Sequence, residues 1–372
     1  MNSQIVKLEG VVIPDSCDLK RRHVRKGKRL TQHYLERYDR KTLIYDCFFR
    51  PDTQEYVFTG PRSLNLWFLM RRHLYVNGKK HTGRLKRMVW QRSEQTVLKA
   101  PAGATLEIKH DDFQATVPVR HSEQDRFKGM NTAHAMNKNN KLEWIRDWAQ
   151  YHVNAHGLQG VVIFDNGSTD YRPEDIEATL QTVNGLEAIL VIEAGFPYGP
   201  VDNSGKAIIS PRFLQTSMFN LARQDAFRQA RATLSVDIDE LVVSGRAESI
   251  FDAAVYSRLG CLSFREHRVF PEGRLGTPYP HQAHIMKKAD FKPGNTKWCV
   301  DTNGFMNRFG WAVHRFGGGF FLMTETDDFH YLHCHGTTTG WKEKRMKPVT
   351  NLKEDPQLKP LFDKYLPGNT GG

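Results

Sequence analysis

The sequence predicts an α/β fold, a Rossmann-like and mostly parallel sheet preceded by a smaller β-rich domain, and three observations predict it. Short, wholly apolar runs, Gly160–Phe164 and Ala188–Ile192, have the pattern of strands buried on both faces. Amphipathic helical stretches alternate with them at a spacing near thirty residues. Upstream of about residue 129 the texture changes to β-branched and aromatic runs broken by turn residues. The expected division is a basic β-rich domain over 1–128, an α/β domain over 129–345, and a C-terminal helix and tail over 346–372.

In the first domain, 42–60 reads as two short strands joined at Arg50-Pro51-Asp52. Leu74–Val76 followed by Asn77-Gly78 is a hairpin signal. Residues 88–99 and 104–119 are again strand-like, separated by Pro101-Ala102-Gly103. In the second domain, 132–136 reads as a strand. A helix follows over 141–154, with Leu142, Ile145, Ala149 and His152 on one face. Pro173 opens a second helix. Residues 211–231 read as one long helix, and Ala232–Val236 as a strand leading into Asp237-Ile238-Asp239-Glu240.

Composition narrows the functional classes. The 372 residues are 39% hydrophobic, enough for a sizeable core, which excludes a mostly disordered chain. No uncharged apolar stretch is long enough to span a bilayer. The N-terminus lacks the pattern of a secretory signal, and five scattered cysteines without a C-x-x-C suggest neither a disulfide framework nor a cysteine zinc site. A cytoplasmic location, peripheral to a membrane, is the expectation. The net charge of +12 lies entirely in residues 1–130, most densely in Lys20–Arg29, where seven of ten residues are Lys or Arg. Such a surface would attract an anionic membrane or an acidic polymer. No nucleic-acid-binding motif accompanies it, so nucleic acid is not an expected partner.

Ligands of open α/β sheets bind outside the carboxyl ends of the strands. Three strands here run into polar groups: Asn137-Lys138-Asn139-Asn140, Asp165-Asn166-Gly167-Ser168-Thr169-Asp170, and Asp237-Ile238-Asp239. If the strands are parallel, all three share one rim. Asp237 and Asp239 are two apart, so on extended chain both carboxylates could face one ion. Hard oxygen donors suit Mg²⁺ or Mn²⁺, which would neutralise a diphosphate leaving group. A bare D-x-D is common by chance, and Asp165-Asn166-Gly167 alone could be a turn. Position directly after buried strands is what favours the functional reading, in which Asp165 accepts hydrogen bonds from a base or ribose.

Taken with their flanks, these motifs form a pattern. The stretch Asn137–Asp170, with its Glu-Trp-Ile, Tyr-His and Asp-Asn-x-Ser-Thr-Asp, resembles the opening of GT-A fold glycosyltransferases, closest to family 92 and its family 2-like relatives. Ser235–Val243 (SVDIDELVV) resembles their metal motif. Asn295–His314 resembles their segment ending in Val-His, and His330–Arg345 their closing His-Tyr and Lys-rich stretch. The resemblance covers about residues 130–345, and it departs at Asn140, where the family has Glu.

It implies a GT-A catalytic domain acting as a metal-dependent inverting hexosyltransferase. A sugar would pass from a nucleotide-sugar donor, UDP-linked, to a glycan or glycolipid acceptor, as in surface polysaccharide synthesis. It implies nucleotide-sugar contacts from Asn137, Asn139, Asp165, Asn166 and Asp237. Mn²⁺ or Mg²⁺ would be held by Asp237, Asp239 and His314, with His330 in reserve. An inverting transfer needs a carboxylate base near the acceptor hydroxyl, for which the candidates are Glu266, Asp327 and Asp328. Trp311 and Trp341 could stack on sugar rings or pack in the core. His330, His333 and His335 do not match a zinc spacing and read as a polar site wall. Two rival readings are a metal-dependent nucleotidyltransferase and a non-catalytic protein that binds polyanions or membranes through the basic domain.

Overall fold

The computed structural model describes residues 1–200, 211–246, 248–272, 278–316, 319–339 and 349–366. No helix among the described residues is long and apolar enough to cross a membrane. The chain divides into two compact units. One comprises Met1–Val6, Arg126–Glu193 and Phe227–Gly372, the other Lys7–Asp125 and Ala194–Ala226.

The first unit is an α/β fold around a mixed sheet. Its strand order is Asn2–Lys7, Ala188–Glu193, Gly160–Asp165, Asn131–Asn137, Ala232–Ser235, Thr296–Asp301, Cys261–Phe270, Met286–Lys288 and Leu352–Glu354. The strands from Ala188–Glu193 to Ala232–Ser235 are parallel, as the apolar runs predicted. From Thr296–Asp301 onward the sheet turns antiparallel. The pair Glu240–Ser244 and Glu325–Cys334 is antiparallel within itself, and Glu325–Cys334 runs parallel to Cys261–Phe270.

Every residue of Gly160–Asp165 is buried. Helix Leu142–His156 stops at Gly157, whose φ of +71° suits a residue without a Cβ. The helix buries Trp144, Ile145, Trp148, Ala149 and Tyr151 in the same core as Val161, Ile163, Ile189 and Leu234. Leu358, Phe362 and Leu366 of the C-terminal segment join that core.

The second unit is β-rich. A five-stranded sheet has the order Arg120–His121, Asp46–Arg50, Glu55–Pro61, Ser93–Lys99 and Lys86–Val89, beside a four-stranded antiparallel one. The Asn77-Gly78 hairpin forms as expected, with φ of +50° and +73°.

The division in space departs from the linear one in two places. Asn2–Lys7 adds an edge strand to the α/β sheet, Asn2 N–H donating to Glu187 O at 2.9 Å. Helix Phe213–Gln224 belongs to the β-rich unit and packs on Glu55–Pro61 and Ser93–Lys99. Its Ser217 hydroxyl donates to Gly60 O (3.1 Å), and its Asn220 carbonyl accepts from Gln95 Nε2 (3.0 Å). It also ends earlier than Arg231. The Asp225 backbone leaves helical geometry, and its carboxylate accepts from Ser122 Oγ (2.6 Å) and the Glu123 N–H (2.8 Å) and pairs with Arg120 (2.6 Å).

The basic run is not wholly a solvated face. Arg21 is fully buried and donates to the carbonyls of Arg62, Asp39 and Thr42. Arg25 is also buried, its guanidinium 4.7 Å from the Tyr34 ring centre. Burying an arginine requires compensation, which backbone carbonyls supply at Arg21 and the Tyr34 ring face supplies at Arg25.

Candidate active site

Three parallel strands end on one rim, because the ladder register aligns them: Asn137 lies opposite Asp165, and Asn131–His134 opposite Ala232–Ser235. The rim carries two polar clusters.

The first is built on Asp165, which is nearly buried. Its Oδ1 accepts from Asn137 Nδ2 (2.7 Å) and Ser168 Oγ (2.5 Å), and its Oδ2 from Ser168 N–H (2.9 Å). Asn139 takes a positive φ of 54° and exchanges two hydrogen bonds with Thr169, at 2.7 and 3.0 Å. Tyr171 donates its hydroxyl to Asn140 O. Asn140 donates to Asn137 Oδ1 (2.9 Å), and Asn166 N–H to Asn137 O (2.8 Å). The turn reading of Asp165-Asn166-Gly167 therefore holds, and the turn brings Asn137, Asn139, Asp165 and Asn166 into one corner. A carboxylate offers about four acceptor positions, so these bonds leave Asp165 with capacity for a ligand.

The second cluster follows Ala232–Ser235. The chain leaves the strand, turns at Ile238-Asp239 and re-enters the sheet at Glu240. Buried His281 donates Nε2–H to Ile238 O at 2.8 Å and pins that turn. Because the segment turns, Asp237 and Asp239 do not share one partner as an extended chain would arrange. Asp237 Oδ2 and Glu240 Oε2 both hold the buried Lys297 ammonium, at 2.8 and 2.9 Å. Glu240 Oε2 also accepts from Asp237 N–H (2.8 Å). Burial works against ionisation of Asp237, but Lys297 holds its carboxyl below the usual range. Asp239 Oδ2 instead faces His333 Nε2 at 3.1 Å.

His333 is in turn held by Glu266, whose Oε1 accepts from Nδ1 at 2.5 Å. Glu266 is 2% exposed and pairs with Arg268 at 2.8 Å. Burial alone would raise its carboxyl, but the hydrogen bonds from His333 and Arg268 hold it well below the ordinary range. A neutral imidazole that donates Nδ1–H to Glu266 presents an Nε2 lone pair toward the Asp239 carboxylate. Two acceptors facing one another call for a proton or a metal ion between them.

The donor set fits a hard divalent cation. Single ligand atoms of Asp239, Glu240 and His333 all lie within 4.8 Å of one another. Adjacent ligands about 2.1 Å from an octahedral ion sit roughly 3 Å apart, the spacing seen between Asp239 and His333. The charges fit as well. The acidic side chains of Asp237, Asp239, Glu240 and Glu266 all lie close enough for their charge to act on the Tyr331 hydroxyl. Lys297 and Arg268 balance two of them.

Not every residue singled out by sequence joins this cluster. His314 is exposed and donates Nδ1–H to Thr296 O (3.1 Å), and its charge acts on Asp237. His330 stacks on His267 with ring centres 4.0 Å apart, so His333 and not His330 meets Asp239. Of the carboxylates considered as base, only Glu266 lies at the cluster. Asp328 pairs with Arg246 at 3.0 Å, and with exposed Asp327 it lies at the far end of the strand, about 16 Å from His333 at strand rise. Trp311 is a core residue, 1% exposed and stacked on His134. Trp341 lies outside the described residues.

Sequence reasoning missed Lys297, one of three polar residues in the mixed-polarity strand Thr296–Asp301. It also missed the Glu266–His333 pair, which the parallel pairing of Cys261–Phe270 with Glu325–Cys334 brings together.

No family model matches the chain, and no curated protein does. Among solved structures, similar ones include residues 1–349 of S. aureus TarS in complex with UDP (17% identity, 55% of this chain and 60% of that one, TM-score 0.30). Another is the mannosyltransferase PcManGT from Pyrobaculum calidifontis in complex with GDP-Man and Mn²⁺ (16%, 52% and 52%, 0.25). A third is core-mannan synthase A from Aspergillus fumigatus in its Mn/GDP form (8%, 52% and 57%, 0.26). The chain thus spans between half and three-fifths of the length of these structures.

Proposed function

We propose that the α/β unit is a glycosyltransferase that uses Mn²⁺ or Mg²⁺ to move a sugar from a nucleotide-sugar donor to a glycan or glycolipid acceptor. One observation carries the reading. The ends of adjacent parallel strands carry a hydrogen-bonding Asp165 corner and a carboxylate-rich cluster in which His333 Nε2 faces Asp239 at 3.1 Å. Asp239 and His333 would hold the ion, with Glu240 completing the set and Asp237 and His314 at its margin. The ion, when bound, supplies positive charge for a departing diphosphate.

The remaining roles belong to the chain. Asp165, with Asn137, Asn139 and Asn166 around it, receives the nucleoside. Glu266 orients His333. A carboxylate held this far below its usual range is a poor proton acceptor, so Glu266 is a positioning residue rather than the base. A UDP-linked donor, inversion at the transferred carbon, a cytoplasmic location and a role in polysaccharide synthesis are parts of the same proposal. The donor, the inversion and the polysaccharide role rest on the motif resemblance, and the location on the N-terminal sequence and the cysteine pattern.

A donor screen tests it. Hydrolysis of UDP- and GDP-sugars is followed with Mn²⁺ and with EDTA, for the wild type and Asp239→Asn. The proposal expects metal-dependent turnover of at least one donor that the substitution removes. Equal, negligible turnover of every donor with and without Mn²⁺ would refute it.

A further inference from the structure

The largest apolar exposure among the described residues is concentrated on one short stretch of the α/β unit. In the 3-10 turn Gly319–Met323, Leu322 is 81% exposed, Met323 64% and Phe320 45%. The turn does not owe this exposure to looseness. Phe321 points inward, 8% exposed, and its ring lies 6.3 Å from that of Phe316. Thr324 closes the turn, its N–H and hydroxyl both donating to Phe321 O, at 3.1 and 2.7 Å. One residue is thus anchored while its three neighbours are held outward.

The exposed side chains continue onto the turn Phe305–Arg308. Phe305 is 40% exposed, and its ring lies 5.4 Å from Phe320 and 5.6 Å from Phe309. Single exposed apolar residues are ordinary, but a contiguous group of this size marks an interaction surface. Its rim is cationic. Arg308 lies against Phe305, and Arg315 and Arg258 are exposed on the adjoining segments. The Arg258 turn is joined to this surface by Met306 N–H donating to Leu259 O. Of the acids that follow Met323, Glu325 is paired with Arg265 and Asp328 with Arg246, leaving Asp327 as the opposing exposed charge.

We propose that this surface docks on an anionic lipid membrane, with Phe320, Leu322 and Met323 entering the acyl boundary and Arg308 and Arg315 meeting the headgroups. Two features favour lipid over a protein partner. A side chain 81% exposed protrudes, whereas the wall of a protein-binding groove is shielded by its own neighbours. Apolar residues flanked by arginines are the arrangement that binds acyl chains and acidic headgroups together. The proposal is independent of the sugar-transfer reading. It also locates membrane contact outside the basic N-terminal run, two of whose arginines are buried.

Co-sedimentation of the full chain with vesicles tests it. Phosphatidylcholine vesicles with and without phosphatidylglycerol are compared for the wild type, Leu322→Asp/Met323→Asp, Leu322→Ser/Met323→Ser, and Lys20→Gln/Arg22→Gln. The wild type should bind the anionic vesicles preferentially. Both double variants at 322 and 323 should lose at least about tenfold in apparent affinity with an unchanged melting temperature, since each removes two apolar side chains from the acyl boundary. The Lys20/Arg22 variant should lose far less. No preference for anionic vesicles, unchanged binding of the 322/323 variants, or binding abolished only by the Lys20/Arg22 variant overturns the proposal. So does a wild-type dimer, seen by light scattering, that these variants convert to monomer without any lipid binding, because the partner is then a second copy.

Discussion

Lys297 is the residue on which the rim's electrostatics turn. Its buried ammonium offsets Asp237 and Glu240 together, so Lys297→Met would leave two carboxylates without a counter-charge. Removing one partner of a buried pair costs about 3–5 kcal/mol. Urea unfolding of that variant should show a loss of this order, and a loss under about 1 kcal/mol would mean the ammonium is solvent-compensated. At Glu266 the expected effect is on the ion rather than the fold. Orienting carboxylates behind a metal-bound histidine are worth about 10–100-fold in affinity. Glu266→Gln should therefore weaken Mn²⁺ binding by that factor in a calorimetric titration, with Asp239→Asn at least as damaging. Gly294 belongs to the same corner. A Cβ there would stand 1.6 Å from Glu266 Oε2, so Gly294→Ala should reproduce the Mn²⁺ phenotype by displacing the carboxylate.

The sequence made Asp165, Asp237 and Asp239 legible because they follow apolar runs. It could not show that Asp239 turns to a histidine nearly a hundred residues away. That pairing depends on which strands become neighbours, and H-x-x-H-x-H carries no register of its own.

Among the elements, helix Leu142–His156 and strand Glu240–Ser244 make the clearest unit. Tyr151 OH and His156 Nε2–H both donate to Val242 O, at 2.9 Å each, while His152 Nε2 accepts from Val242 N–H at 3.3 Å. The second nitrogen of each ring is also used. His152 Nδ1–H donates to Trp148 O (2.8 Å), and His156 Nδ1 accepts from Ile250 N–H (3.3 Å). Each imidazole therefore needs one protonated and one bare nitrogen, which is the neutral form. Burial lowers both, His152 to about 3 and His156 to about 4, from 6.5. A depressed histidine stabilises the fold above its unfolded pKa, and that contribution is lost as pH falls through the window down to the folded value. Stability should therefore drop between pH 7 and pH 5 by about 2 kcal/mol for each ring. Denaturant melts at the two pH values measure this, and His156→Gln should flatten the difference. The amphipathic face of this helix was readable from its spacing. Its grip on Val242 was not, because a buried histidine on an apolar face gives no hint of its partner.

For the whole molecule, chain order and spatial order differ. The parallel half of the sheet was predictable because strands buried on both faces are apolar throughout. The antiparallel half was not, since its strands carry the mixed polarity of a site wall. Helix Phe213–Gln224 lies between two segments of the α/β unit in sequence yet buries itself in the β-rich one. A fragment of residues 126–372 should accordingly expose the face of this helix that packs on Glu55–Pro61 and Ser93–Lys99. It should bind a hydrophobic dye and lose the cooperative melt of the full chain; a sharp, dye-silent melt would contradict this division.

The central claim is that Asp239 and His333 take a divalent ion which then helps bind a nucleoside diphosphate. Calorimetric titration of UDP and GDP into the full chain, with Mn²⁺ and with EDTA, addresses it directly. At least one nucleotide should bind only with Mn²⁺, and His333→Ala should abolish the metal-dependent heat while the melting temperature stays near that of the wild type. Mn²⁺-independent nucleotide binding, or full Mn²⁺-dependent binding by the His333→Ala protein, would contradict the account.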